Sequence, residues 1–146
     1  MKSRLQRQKG AGLIEILISV VVLAVGLTGV AAMQVRSVRN NAAALQHSIA
    51  VIQAQSMADL LAISRAQALA GDFNITLTAT NPTGQTFIPK SITEWRTSIS
   101  SLLGAGATGS VNCVNASSTC TILVQWDNSR ATEGSAAQQL QLGIRL

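Results

Sequence analysis

Between Ala11 and Met33 the chain carries one charge, the carboxylate of Glu15, in a run otherwise apolar or small (AGLIEILISVVVLAVGLTGVAAM). A carboxylate inside an apolar span costs about 2.5–3.5 kcal/mol on insertion scales, so its place there calls for a compensating group. A cut after Gly10 would create one. The new α-amino group of Ala11 would lie about one helical turn from Glu15, and either that amine or a neighbour's could neutralise the carboxylate. The N-terminal end of a helix dipole also favours a negative charge at this position. Where the amine belongs to a lateral neighbour in lipid, the pair fixes the axial register between adjacent chains. The chemistry written into Lys9-Gly10-Ala11-Gly12-Leu13-Ile14-Glu15 is thus processing and joining rather than catalysis. The plainer reading of the same residues is a signal anchor whose acid snorkels toward the headgroups.

The remaining residue types offer little else to do chemistry with. One histidine and six acidic residues form no Ser/His/Asp or Cys/His set, no carboxylate pair at useful spacing and no metal cluster. His47 lies on the polar side of a helical pattern and reads as solvated surface. The Gly-rich stretch GAGATGS (104–110) lacks the Gly-Lys-Ser/Thr of a phosphate loop and reads as a linker. Asn74-Ile75-Thr76 and Asn115-Ala116-Ser117 match the glycosylation pattern, which arises commonly by chance. Trp95 and Trp126 read as core aromatics. Two thiolates, Cys113 and Cys120, with no nearby His or third Cys do not make a zinc site. Across a membrane from the basic tip they would stand in an oxidising compartment, where a disulfide is their natural state. A loop this short contributes roughly 2–3 kcal/mol on the chain-entropy model.

Charge bears on partners only after it is divided. The net charge is +5, but Lys2, Arg4, Arg7 and Lys9 stand in the first ten positions, where no acid occurs. The rest of the chain sets Arg36, Arg39, Arg65, Lys90, Arg96, Arg130 and Arg145 against six acidic residues and is nearly neutral. Nucleic acid is therefore not indicated as a partner. A short basic tip beside an apolar run is instead a topology signal that keeps the N-terminus in the cytoplasm.

The elements that must position these groups follow from periodicity. Residues 11–33 are long enough to cross a bilayer as a helix, about 34 Å. From Val35 the apolar positions fall at Val35, Val38, Ala42, Leu45, Ile49 and Ile52, alternating steps of three and four. Met57, Leu60, Leu61 and Leu69 continue an apolar face after a slip in phase. No Pro precedes Pro82 and no Gly lies between Gly29 and Gly71, so one helix is expected from about 12 to 69, ended by Gly71-Asp72. Beyond it, Phe73–Ala79 has strand character and Asn81-Pro82-Thr83-Gly84 is a turn. Ser91-Ile92-Thr93-Glu94 has the capping-box pattern and predicts a short helix over 92–103. Val111–Val114 and Cys120–Trp126 predict a hairpin closed by the cysteine pair, with Cys120, Ile122, Val124 and Trp126 on one face. A polar loop (127–137) leads to a final alternating strand, Gln138–Leu146. The segments are a leader (1–10), a membrane half of the helix (11–33), an amphipathic half (34–70) and an α+β head (71–146).

A short basic leader ending in Gly, a cut before a small residue, Glu five residues after the break and about twenty apolar residues resembles the class III signal of type IV prepilins and type II secretion pseudopilins. Met57-Ala58-Asp59, Glu94-Trp95 and Val124-Gln125-Trp126 agree with that family more loosely. The resemblance implies cleavage by prepilin peptidase between Gly10 and Ala11, N-methylation of Ala11, and an assembly role for Glu15. It implies a pilin-like α+β fold: a long N-terminal helix, transmembrane in its first half, packed on a small C-terminal antiparallel sheet with one short helix. The implied partners are other major and minor pilins and the inner-membrane assembly platform. The implied location is the inner membrane, single pass with the head periplasmic, and then the pilus. No cofactor is implied. Ala11 stands where Phe or Met is usual, no Pro kinks the helix, and the cysteines are closer than in major pilins. The last two departures lean toward a minor subunit. The expected function is a minor pilin that starts or decorates a filament. The alternatives are a minor pseudopilin of a secretion piston and a secreted binding domain behind an ordinary signal peptide, against which the length of the apolar run and its acid count.

Overall fold

The computed structural model describes residues 12–146, which divide into two compact units between Val38 and Arg39. Gly10 and Ala11, the cleavage and methylation positions, lie outside the described residues. In the first unit the chain is helix: α1 (Leu13–Ile63) starts with Glu15 in its first turn and continues into the second unit. Every residue from Gly12 to Val38 is exposed. α1 is the one helix among the described residues that is long and apolar enough to cross a membrane.

In the second unit the Arg39–Ile63 part of α1 is followed by α2 (Arg65–Ala70), α3 (Phe87–Leu103) and three strands, β1 (Thr108–Val114), β2 (Thr119–Trp126) and β3 (Gln138–Arg145). The sheet is antiparallel in the order β1-β2-β3. Its register places Gly109, Val111 and Cys113 opposite Val124, Ile122 and Cys120, and these in turn opposite Leu140, Leu142 and Ile144. One face of all three strands is thereby apolar and turned to the core. Cys113 is bonded to Cys120 across directly opposed positions, with Cα atoms 4.0 Å apart. The elements make the α+β pilin-like fold that the resemblance implies.

Several boundaries differ from the sequence reading. The expected single helix is interrupted at Ser64, whose backbone (φ −103°, ψ 39°) leaves the helical region. Gly71 closes α2 in the left-handed conformation, φ 89°, where a Cβ would be strained. The third helix starts at Phe87, five residues before the expected 92. Ser91 is no cap, because its Oγ donates back to the Phe87 carbonyl inside the helix at 2.8 Å. Pro89 fits the first turn, where its missing N–H has no partner to lose. Phe73–Ala79 makes a single bridge, Ile75 to Val111, rather than a strand. Thr108–Ser110, read as linker, belongs to β1.

The amphipathic half of α1 shows the largest difference. The buried face is Ala50, Ala54, Met57 and Leu61, which joins Phe73, Ile92, Ile99, Val111, Ile122, Val124 and Trp126 in one core. The more regular stripe Val35, Val38, Leu45 and Ile52 lies roughly 120° away around the helix. It is 52–68% exposed. Of the apolar positions from Val35 to Ile52 only Ile49 packs partly on the core. Two alanines allow the helix backbone to approach the head closely, so small residues rather than large ones mark its buried side.

Candidate functional site

Glu15 sits where α1 begins. Its N–H donates to the Gly12 carbonyl at 2.9 Å, and its own carbonyl accepts the Ser19 hydroxyl at 2.7 Å. Ile16, Ser19, Val20 and Leu23 surround it in a shallow open groove on the helix surface. Thr28 likewise turns its hydroxyl to the Ala24 carbonyl at 2.8 Å, so the two small polar side chains of the apolar half hide their donors against the helix. Glu15 is the one charged side chain of Leu13–Val30. Leu13, at 89% exposure, and the large apolar residues to Val30 are uncovered among the described residues. A surface of this kind is soluble only in lipid or against other helices.

The next charges along α1 are Arg36 and Arg39, and after them Asp59. Among the described residues the one ion pair is Lys90–Glu94, 3.8 Å and solvent-exposed, so neither arginine of α1 has an acidic partner there.

Sequence reasoning missed Arg96. It is the only buried charged side chain among the described residues and has no carboxylate beside it. Its Nε and Nη2 donate to the Gly109 carbonyl at 2.9 and 2.7 Å, Nη1 donates to the Ala79 carbonyl at 2.7 Å and Asn81 Oδ1 at 3.4 Å, and Nη2 also reaches the Thr76 carbonyl. Five donors thus meet acceptors on β1 and on the segment between α2 and α3, a match for the rigid guanidinium fork. Burial pulls its pKa below the ordinary arginine value. No spacing rule could have found it, since its partners are backbone carbonyls. The role is architectural: Arg96 holds 76–81, which otherwise has almost no secondary structure.

His47 is exposed, and its ring stands 6.2 Å from that of Trp126 at 73°. Trp126 Nε1 is buried without a hydrogen-bond partner in the described residues. Asn74, of the first glycosylation pattern, is engaged on both atoms of its amide: Oδ1 accepts the Cys113 N–H at 2.7 Å and Nδ2 donates to the Cys113 carbonyl at 3.3 Å. Among the described residues no group of three or more His, Cys, Asp or Glu could hold a metal ion.

The described residues thus join an apolar helix with an acid in its first turn, long enough to cross a membrane, to a small α+β unit. Residues 5–31 match the family model of the prokaryotic N-terminal methylation motif. The match brackets Gly10, Ala11 and Glu15 and supports a type IV pilin-like or pseudopilin subunit, a structural protein processed by prepilin peptidase, anchored in a membrane and assembled with other pilins. No curated protein and no solved structure matches the chain.

Proposed function

We propose that this chain is a minor pilin of a type IV pilus, which helps start or decorate the filament and so supports motility, adhesion or DNA uptake. The leader is removed after Gly10, Ala11 is N-methylated, and α1 anchors the subunit in the inner membrane with the head in the periplasm until assembly draws it into the pilus. The segment GAGLIEILISVVVLAVGLTGVAAMQ is particularly similar to the minor pilin PilV, which favours that subunit type. The observation that carries the reading is Glu15 in the first turn of an apolar helix that is uncovered among the described residues. Its pairing with the amine freed at Ala11, in its own or a neighbouring subunit, gives assembly a fixed register.

Replacing Glu15 by Val removes the charge and keeps the helix apolar. Incorporation of the variant into sheared filaments should fall at least about tenfold, the loss of roughly 1.4 kcal/mol of docking energy, while its level in the membrane stays unchanged. Undiminished incorporation would sink the register mechanism. A minor pseudopilin of a type II secretion system would share the same stem, since the matched motif serves both. A gene deletion that abolishes enzyme secretion but leaves surface fibres intact selects that reading over the pilus.

A further inference from the structure

We infer that the outer edge of β3 is the docking site for an extended segment of a different protein, which adds to the sheet as a fourth strand. The segment places apolar side chains beside Leu140, Leu142 and Ile144 and sets a carboxylate opposite Arg145. The inference concerns the sheet alone, so it goes beyond the pilin reading and does not depend on which filament the chain serves.

The two edges of the sheet are finished differently. At the β1 edge the groups that turn away from β2 are taken. The Gly109 carbonyl accepts from Arg96, Val111 exchanges two hydrogen bonds with Ile75 at 2.9 and 3.0 Å, and Cys113 exchanges two with the Asn74 side chain. Outward-turned groups alternate along antiparallel strands, so this also fixes which residues of β3 face outward. Leu140, Leu142 and Ile144 turn to Val124, Ile122 and Cys120, while Gln139, Gln141, Gly143 and Arg145 turn their N–H and C=O groups away from β2. Those groups have no hydrogen-bond partner among the described residues. The apolar layer also stops short at this edge. Cys120, Ile122, Val124 and Trp126 are at most 1% exposed, whereas Leu140, Leu142 and Ile144 are only partly buried. β3 carries no proline, inward-facing charge or break in register of the kind that blunts a free edge.

A second copy does not fit this edge. Its β1 edge is closed by Arg96, Ile75 and Asn74, so it can offer only its own β3. Parallel pairing of two β3 strands about a two-fold would put their apolar rows on opposite sides of the sheet. Antiparallel pairing keeps the rows together, but its two-fold stands normal to the sheet and reverses the helix packed on that sheet. Two α1 helices anchored in one membrane cannot run in opposite directions. A free extended segment does fit: its main chain meets the four open residues and its alternate side chains extend the apolar layer. Two features of the outer face narrow its chemistry. Arg145 is exposed and has no acidic partner among the described residues, which favours an acid opposite it. A Cβ on Gly143 would meet nothing within 4 Å, which leaves room for an aromatic residue opposite, two positions along the segment.

The test uses the full chain in detergent micelles and a labelled probe peptide, Glu-Val-Phe-Val-Thr-Val-Thr, which would run antiparallel to β3 from Arg145 to Gln139. Saturable binding is expected, with amide exchange slowed at Gln139, Gln141, Gly143 and Arg145. Exchange should stay unchanged at Leu140, Leu142 and Ile144, which already bond to β2. Gln141→Pro removes an outward N–H and spares the β2 ladder, so it should abolish binding. Arg145→Glu should weaken binding about tenfold, and a probe with Lys in place of Glu should recover the loss. No binding by the parent chain, slowing without this alternation, or equal binding by all variants overturns the inference. Should Gln141→Pro fail to fold, the charge exchange decides alone. The occupant is read in cells, with a photoreactive benzophenone amino acid in place of Gln141 and mass spectrometry of the cross-linked peptides. An alternating segment with an acid, in a different protein, is the expected partner; cross-links only to a second copy or to lipid overturn the inference.

Discussion

Arg96→Leu should lower the stability of the head by about 3–5 kcal/mol, read as a shift of the urea midpoint followed through Trp fluorescence in the detergent-solubilised chain. Leucine keeps most of the apolar volume but removes all five donors. The carbonyls of Thr76, Ala79 and Gly109 and the Asn81 side chain then lose their partner together. Each buried acceptor left unmet costs of order 1 kcal/mol or more. The loss is also local in a way that proteolysis can read: bonds between Asp72 and Gln85 should become cleavable well before the sheet does. Arg96→Lys tests the geometry rather than the charge. A single ammonium cannot span Gly109, Ala79 and Thr76 at once, so lysine should recover less than half of the loss. An unchanged midpoint for the leucine variant would show that the clasp is incidental.

Gly109→Ala should cost about 2–3 kcal/mol, although alanine is the smallest possible addition. The Trp95 ring lies flat against this glycine, and an added Cβ would meet its Cζ3 at 2.6 Å and Cζ2 at 2.8 Å, far inside van der Waals contact. The ring cannot swing away, because its Nε1 donates to the Gln53 carbonyl at 2.9 Å and the residue is 6% exposed. Nor can the strand retreat, since Gly109 is paired with Val124 on one side and its carbonyl is held by Arg96 on the other. The smaller ring of Trp95→Phe should relieve the clash, so the double variant should lose less than the sum of the two single changes. Simple additivity would place the cost of Gly109→Ala somewhere other than in this contact.

These two residues also mark what the sequence could and could not convey. Periodicity and composition disclosed the elements that depend on local pattern: the apolar start of α1, the Gly71 stop, the alternating β3 and the Cys120–Trp126 face. The acid at Glu15 stood out because its surroundings are so uniformly apolar. Contacts between distant segments left no such trace. Gly109 read as a linker residue because nothing near it in the chain reveals that Trp95 covers it. Arg96 entered only the count of basic residues because a run of backbone carbonyls has no residue code. The stripe Val35–Ile52 misled for a related reason: its regularity is real, but large apolar residues at helical spacing do not say which partner covers them. The head took the alanine side of the helix instead, and the bulkier side stayed uncovered.

The proposed joining mechanism depends on a cut that would create the Ala11 amine, and the mature N-terminus tests this most directly. The chain should be extracted from membranes of cells that also make a prepilin peptidase, and its first residues and intact mass determined. The account predicts a sequence starting Ala11-Gly12-Leu13, with one methyl group on the amine, and retention of the leader when the peptidase is deleted. A mature protein that starts near Met33, or that keeps Met1 in the presence of the peptidase, contradicts it.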